Sequence, residues 1–180
     1  MSEKELQRLR REIDRIDAGI LSLLNRRMKT SARIGARKKS LGRAPYDPSR
    51  EQEILSRLKA GNRGPLPAPG IDLIFGEILS ACRSAFRPIR VAYLGPAPGP
   101  GHTAGFYNFG RSARFLAWSG NPGIFRALQT GRADYGIMVA LGKKAVFPPG
   151  LSVVKKGAFP GRAGEKVKFI VLAVRKEGIR

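Results

Sequence analysis

The chain has 180 residues, and its 34 Lys and Arg against 13 Asp and Glu leave a formal charge of +21 and a pI near 11.3. At 42% hydrophobic it can bury a core, while its single cysteine, Cys82, excludes an intrachain disulfide and offers no cysteine cluster for a metal. No run approaches the roughly 20 apolar residues of a membrane span, and the N-terminus lacks the apolar core of a signal peptide, so a soluble, cytoplasmic protein is expected.

The first element is an apolar stripe. Leu6, Leu9, Ile13, Ile16, Ile20, Leu23 and Leu24 step by threes and fours, Met28, Ala32 and Ile34 continue it, and no proline intervenes before Pro45. A helix from about Leu6 to Leu41 is roughly 50 Å long, more than a compact protein of this size needs for one core helix, so it requires a partner along its length. The stripe alone fits a coiled-coil arm as well as a catalytic scaffold.

Cations punctuate this helix and the start of the next: Arg10, Arg27, Lys38 and Arg50. Arg27 and Lys38 are 11 residues apart, close to three turns, so they share a face at roughly 16 Å and their long side chains can converge on a small dianion. Arg10 precedes Arg27 by 17 residues, roughly 25 Å along the axis and about 100° round it. It can serve such a ligand only from a second subunit. Each of these arginines taken singly also fits a solvated face of a basic helix.

Tyr46-Asp47-Pro48-Ser49-Arg50-Glu51 reads as a second helix start, with Asp47 as cap, Pro48 at the first helical position and Glu51 in the anion-favouring first turn. Arg50 runs against the dipole there and fits better beside an anionic ligand. Gly61 to Gly70, with three prolines, reads as a loop, and a third helix follows over Ile71 to Phe86 on Ile71, Ile74, Phe75, Ile78, Leu79 and Cys82.

From residue 89 onward, 15 Lys and Arg against three acids carry +12 of the +21. Val91 to Pro96 reads as a buried strand entering a Gly/Pro-rich loop that holds His102, which is expected to be a solvent-facing structural residue. Arg126 to Val139 reads as a short helix, a Gly turn and the strand Ala133 to Val139, and Val167 to Val174 as a last, largely apolar strand. This half is of α/β type.

The first half resembles the all-helical chorismate mutases, above all the mutase domain at the N-terminus of the bacterial P-protein. The matching strings are Leu9-Arg10-Arg11-Glu12-Ile13-Asp14, Ile16-Asp17, Leu23-Leu24-Asn25-Arg26-Arg27, Ile34-Gly35 with Lys38, Tyr46 to Glu51, and Ile74 to Arg83. The resemblance implies a three-helix, intertwined homodimer over residues 1–87 that acts on chorismate without a metal or cofactor, each site borrowing Arg10 from the opposite chain. It also implies that Arg10 and Arg27 hold carboxylates, that Lys38 contacts a carboxylate and the ether oxygen, and that Arg50 helps build the cationic site. Glu51 and the Asp47 backbone would receive the ring hydroxyl, and Cys82 takes a substrate-side serine position. Where the family presents Gln or Glu to the ether oxygen, this chain aligns Phe86, which has no hydrogen bond to donate. Lys38 acting alone, a shifted helix register, a fall in activity and simple packing at a domain junction all fit that departure.

Residues 88–180 resemble the prephenate dehydratase domain that follows the mutase in P-proteins, through Val91 to Pro96, His102, Phe109-Gly110 and Gly131 to Gly136. Beyond those strings the pattern departs. Ala97-Pro98-Gly99-Pro100-Gly101 replaces Glu-Gly-Thr-Phe-Ser, Val139-Ala140-Leu141-Gly142 stands where a Pro-Ile-Glu-Asn-Ser loop should begin, and Val167-Lys168-Phe169 replaces the catalytic Thr-Arg-Phe. Val167 lacks the motif's hydroxyl, and no regulatory domain is expected after Arg180. This half is therefore read as a partial, degenerate α/β remnant without dehydratase activity, its folding open to question because strand edges would be uncovered. Three competing readings stand beside the mutase: a basic polyanion or nucleic-acid binder driven by the +21 charge, a non-catalytic pseudoenzyme, and an isochorismate pyruvate lyase on the same fold. The aromatic residues are sparse and no nucleic-acid motif stands out, so no specific nucleic-acid partner is expected.

Overall fold

A computed structural model describes residues 2–85, 87–139, 146–160 and 165–175. Phe86, the Ala140-Leu141-Gly142 string and Arg180 therefore lie outside the described residues. The chain divides into two compact units, Met1–Pro45 and Tyr46–Arg180. That division is one of packing; the 87/88 boundary read from sequence marks where one family pattern gives way to another.

The first unit is the helix α1, Glu3–Ser40, unbroken over its 38 residues. It begins a few residues before the expected Leu6 because Ser2 caps it, its hydroxyl accepting from the Glu5 N–H, with Glu3 and Glu5 in the first turn and Arg37, Lys38 and Lys39 in the last. Its apolar stripe stays exposed: Ile16 is 55% accessible and Leu23 65%.

The second unit opens with α2, Pro48–Gly61, capped as expected by the Asp47 carboxylate, which accepts from the Arg50 N–H at 3.0 Å. The helix α3 runs Ala68–Ser84. It starts three residues earlier than the periodicity indicated because Pro69 sits in the first turn, where its missing N–H costs nothing. Lys59 of α2 and Asp72 of α3 join the pair at 3.0 Å.

A five-stranded sheet follows, made of β1 (Arg90–Leu94), β2 (Arg114–Trp118), β3 (Tyr135–Val139), β4 (Leu151–Pro160) and β5 (Lys166–Val174). Their spatial order is β2-β1-β3-β5-β4. β1 pairs parallel with β2 and β3, whereas β5 runs antiparallel to both β3 and β4. The parallel pairs are linked through α4 (Pro100–Phe109) and α5 (Asn121–Gln129). Alternation along β1 sends Val91 and Tyr93 into a core with Ala104, Phe109, Ile137, Phe169 and Val171, while Ala92 enters a second core with Ile124, Ala127, Leu128 and Leu172. Helix α4 thus supplies one core and α5 the other. The sheet half thus buries side chains in two cores, one on each face.

Two expectations for this half are corrected. The segment read as a Gly/Pro-rich loop contains α4, and His102 sits within that helix rather than in a solvent-facing loop. Its imidazole packs on the rings of Tyr93, Phe106 and Phe115, with centroids 5.2, 4.3 and 5.6 Å away. Its role is structural because it fills an aromatic cluster.

Candidate functional site

Arg10, Arg27 and Lys38 all lie on the single rod of α1. The helix is continuous through all three, and its rise puts Arg10 about 25 Å from Arg27 and Arg27 about 16 Å from Lys38. Lys38 also occupies the last turn, where any cation favours the exposed carbonyls.

The N-terminus of α2 carries Asp47, Arg50 and Glu51. Asp47 is spent as a cap, which fixes the direction of the first turn. Arg50 does not stand apart as the dipole argument suggested: its Nη1 meets Glu53 Oε1 at 2.5 Å, one turn along. The hydrogen bond that Arg50 donates to Glu53 raises the guanidinium above its ordinary value, and the same bond lowers the Glu53 carboxyl. An i,i+3 pair on an exposed face fixes where the Arg50 guanidinium lies.

Glu51 is placed differently. Its carboxylate is ion-paired with Arg83, which lies 32 residues later on α3. Arg83 Nη2 donates in turn to the main-chain carbonyl of Phe109 at 2.9 Å, and its Cζ lies 5.3 Å from the centre of the Tyr46 ring. Tyr46 is buried, with its ring centroid 4.7 Å from that of Phe109 and 5.4 Å from that of Tyr135. Burial, reinforced by the Glu51 charge, holds the Tyr46 hydroxyl well above the usual phenol range, and burial pushes Tyr135 up to about 12. Lys155 of β4 is lowered by burial, an effect that Glu51 opposes. The first turn of α2 therefore rests on a group of ionic and aromatic side chains drawn from α3, α4 and the sheet.

The seam beside it is closely made. Ser80 Oγ donates to the Phe109 carbonyl at 2.6 Å and accepts from the Ser112 N–H at 3.3 Å, while Ser84 Oγ donates to the Ser112 carbonyl at 2.8 Å. Gly110 ends α4 with φ 63° and ψ −175°, a conformation open essentially to glycine. Cys82 is buried within α3.

In the sheet half, the string Gly131 to Gly136 serves structure. Gly131 makes the turn with φ 67°, and Asp134 accepts from Arg90 N–H at 2.9 Å, Arg90 Nη2 at 3.0 Å and Arg87 Nη2 at 2.7 Å. Burial pushes the Asp134 carboxyl up, but these donors outweigh it and the net shift is downward. Val167 is partly buried against the core and Phe169 fully buried in it. Among the described residues no group of three or more His, Cys, Asp and Glu could hold a metal, and no helix is long and apolar enough to cross a membrane.

Two residues that sequence reasoning passed over, Tyr46 and Arg83, are central to this geometry. Both stood within recognised strings, but helical periodicity cannot reveal a partner 32 residues away.

Residues 9–85 match the family model described as chorismate mutase type II. The chain is 41% identical over 139 residues to a bifunctional chorismate mutase/prephenate dehydratase of Aquifex aeolicus, covering 75% of this chain and 38% of that protein. A protein of the same description from Neisseria gonorrhoeae is 38% identical over 126 residues, covering 70% of this chain and 34% of its own length. The chain thus spans little more than a third of the curated relatives it matches. Among solved structures, chorismate mutase form II from Thermus thermophilus aligns at 40% identity and a TM-score of 0.45, over 46% of this chain and 96% of that one.

Proposed function

We propose that this chain, whose residues 9–85 match the chorismate mutase type II family model, converts chorismate to prephenate in aromatic amino acid biosynthesis. The observation that carries the reading is the placement of Arg10, Arg27 and Lys38 on one uninterrupted helix, followed by the capped α2 start with Asp47, Arg50 and Glu51, all inside the matched segment. The rearrangement is unimolecular and pericyclic, so it asks for no nucleophile and no cofactor, only for orientation of the enolpyruvyl arm and stabilisation of charge as the C–O bond breaks. In this reading Arg27 and the partner's Arg10 hold the carboxylates and Lys38 serves a carboxylate and the ether oxygen. Arg50 adds positive potential, Glu51 and the Asp47 backbone receive the ring hydroxyl, and Cys82 lines the site.

The exposed stripe of Ile13, Ile16, Ile20 and Leu23 supports an intertwined homodimer, because one long amphipathic helix needs apolar cover and Arg10 cannot reach the other cations within its own rod. Residues 1–87 form the mutase domain and residues 88–180 a dehydratase-like remnant that performs no dehydration. Val167 supports this last point, since an apolar side chain packed against the core can deliver no proton to a leaving hydroxyl. The protein is placed in the cytoplasm on the same reading.

Mixing tests the shared site. Arg10→Ala and Lys38→Ala chains, each inactive alone, should regain activity on subunit exchange, because one hybrid site has both cations intact; exchanged heterodimers that remain inactive contradict the arrangement.

A further inference from the structure

The partners of Glu51 reach beyond the mutase pattern into the sheet half. Arg83 uses one arm of its guanidinium on the Glu51 carboxylate and the other on the Phe109 carbonyl, which closes α4. Its side chain is 9% accessible and that of Glu51 19%, so the pair is largely withdrawn from water. Two charges so placed are tolerated only when paired and hydrogen-bonded, and a guanidinium fork fits two acceptors at fixed angles in a way an ammonium does not. The Phe109 carbonyl is itself fixed by Ser80 Oγ at 2.6 Å, and Tyr46 lies against both Phe109 and the Arg83 guanidinium. Capping and α2–α3 packing alone do not call for such a link, because Arg83 stands in the last turn of α3, where a solvated arginine would satisfy the dipole equally well.

We propose that Arg83 is a positioning residue for Glu51, and that the sheet half, through the Phe109 carbonyl, is thereby a working part of the mutase site rather than an inert remnant. This rests on the reading of Glu51 as the acceptor of the ring hydroxyl. The sheet half keeps a function that needs none of the dehydratase chemistry: it holds the α4 terminus against α3, so that the carboxylate on α2 points one way.

The test is a double-mutant cycle in the full chain, with prephenate formation followed for the wild type, Glu51→Gln, Arg83→Ala and the double variant. Each single change should lower kcat/KM on the order of 10- to 100-fold, the range for hydrogen bonds to charged groups. The double variant should be no slower than the slower single, because Arg83 acts through Glu51. Arg83→Lys, which keeps charge but not the fork, should recover part of the loss, and it carries the same cycle if Arg83→Ala does not fold. Losses that multiply would make Arg83 an independent structural residue and overturn the proposal, as would normal turnover in Arg83→Ala. Normal turnover in Glu51→Gln beside an active wild type would overturn the ring-hydroxyl reading, and no chorismate loss by the wild type would overturn the mutase reading itself. Those two failures are thus distinguishable from failure of the Arg83 link.

Discussion

Gly110 is where the seam between α3 and the sheet half can be broken with a single methyl group. An alanine there meets two costs. The backbone at φ 63° and ψ −175° lies in a region nearly closed to other residues, worth about 1–3 kcal/mol. The added Cβ would also stand 2.4 Å from Ser80 Cβ and 2.6 Å from its Oγ, and Ser80 is only 1% accessible with its hydroxyl committed to Phe109 and Ser112, so overpacking adds about 1–3 kcal/mol. Gly110→Ala should therefore destabilise the protein by about 2–6 kcal/mol, a fall in melting temperature on the order of 10 °C. Gly131 supplies the control. Its φ is 67°, but nothing lies within 4 Å of a built Cβ, so Gly131→Ala should cost only the conformational part, about 1–2 kcal/mol. Guanidinium unfolding followed through the single tryptophan, Trp118, reads both variants. Equal midpoints for the two would mean that α3 does not lie against the end of α4, and the seam argument would fall with it.

Lys38→Ala should lose about 3–4 kcal/mol of transition-state stabilisation, most of the turnover, while the elution volume of the protein is unchanged; near-normal kcat would remove Lys38 from the ether-oxygen role. Acid stability should report Asp134. Its carboxyl titrates below the ordinary 3.8 in the folded protein, so the stability it contributes is complete above that value and is lost as pH falls through the lower folded one. Asp134→Asn should flatten the fall in unfolding free energy below about pH 4, and an unaltered acid limb would show that Arg87 and Arg90 do not hold the charge.

The parts legible in the sequence were those with a local cause. The stripe of α1 and the Asp47-Pro48 start of α2 follow from spacing and capping between neighbours, and the structure places both close to where they were read. Helix α4 was hidden because its glycines imitate a loop. Gly105 is there for close approach, since a Cβ would come 2.6 Å from the Phe115 ring, and sequence does not record that a strand lies behind it. The long β4 was likewise missed, for it is mixed in polarity and is defined by its pairing with β5. At the candidate site, residue types and helical placement could be read in advance. The partner of Glu51 could not, because a cation in the last turn of a helix has a sufficient local explanation, and only the fold brings Arg83 to a carboxylate on another helix.

The central claim is tested most directly by incubating the purified protein with chorismate and resolving prephenate from phenylpyruvate. The account predicts enzymatic loss of chorismate with prephenate as the sole product. Phenylpyruvate formed enzymatically would contradict the reading of residues 88–180, and unchanged chorismate would contradict the assignment of mutase activity.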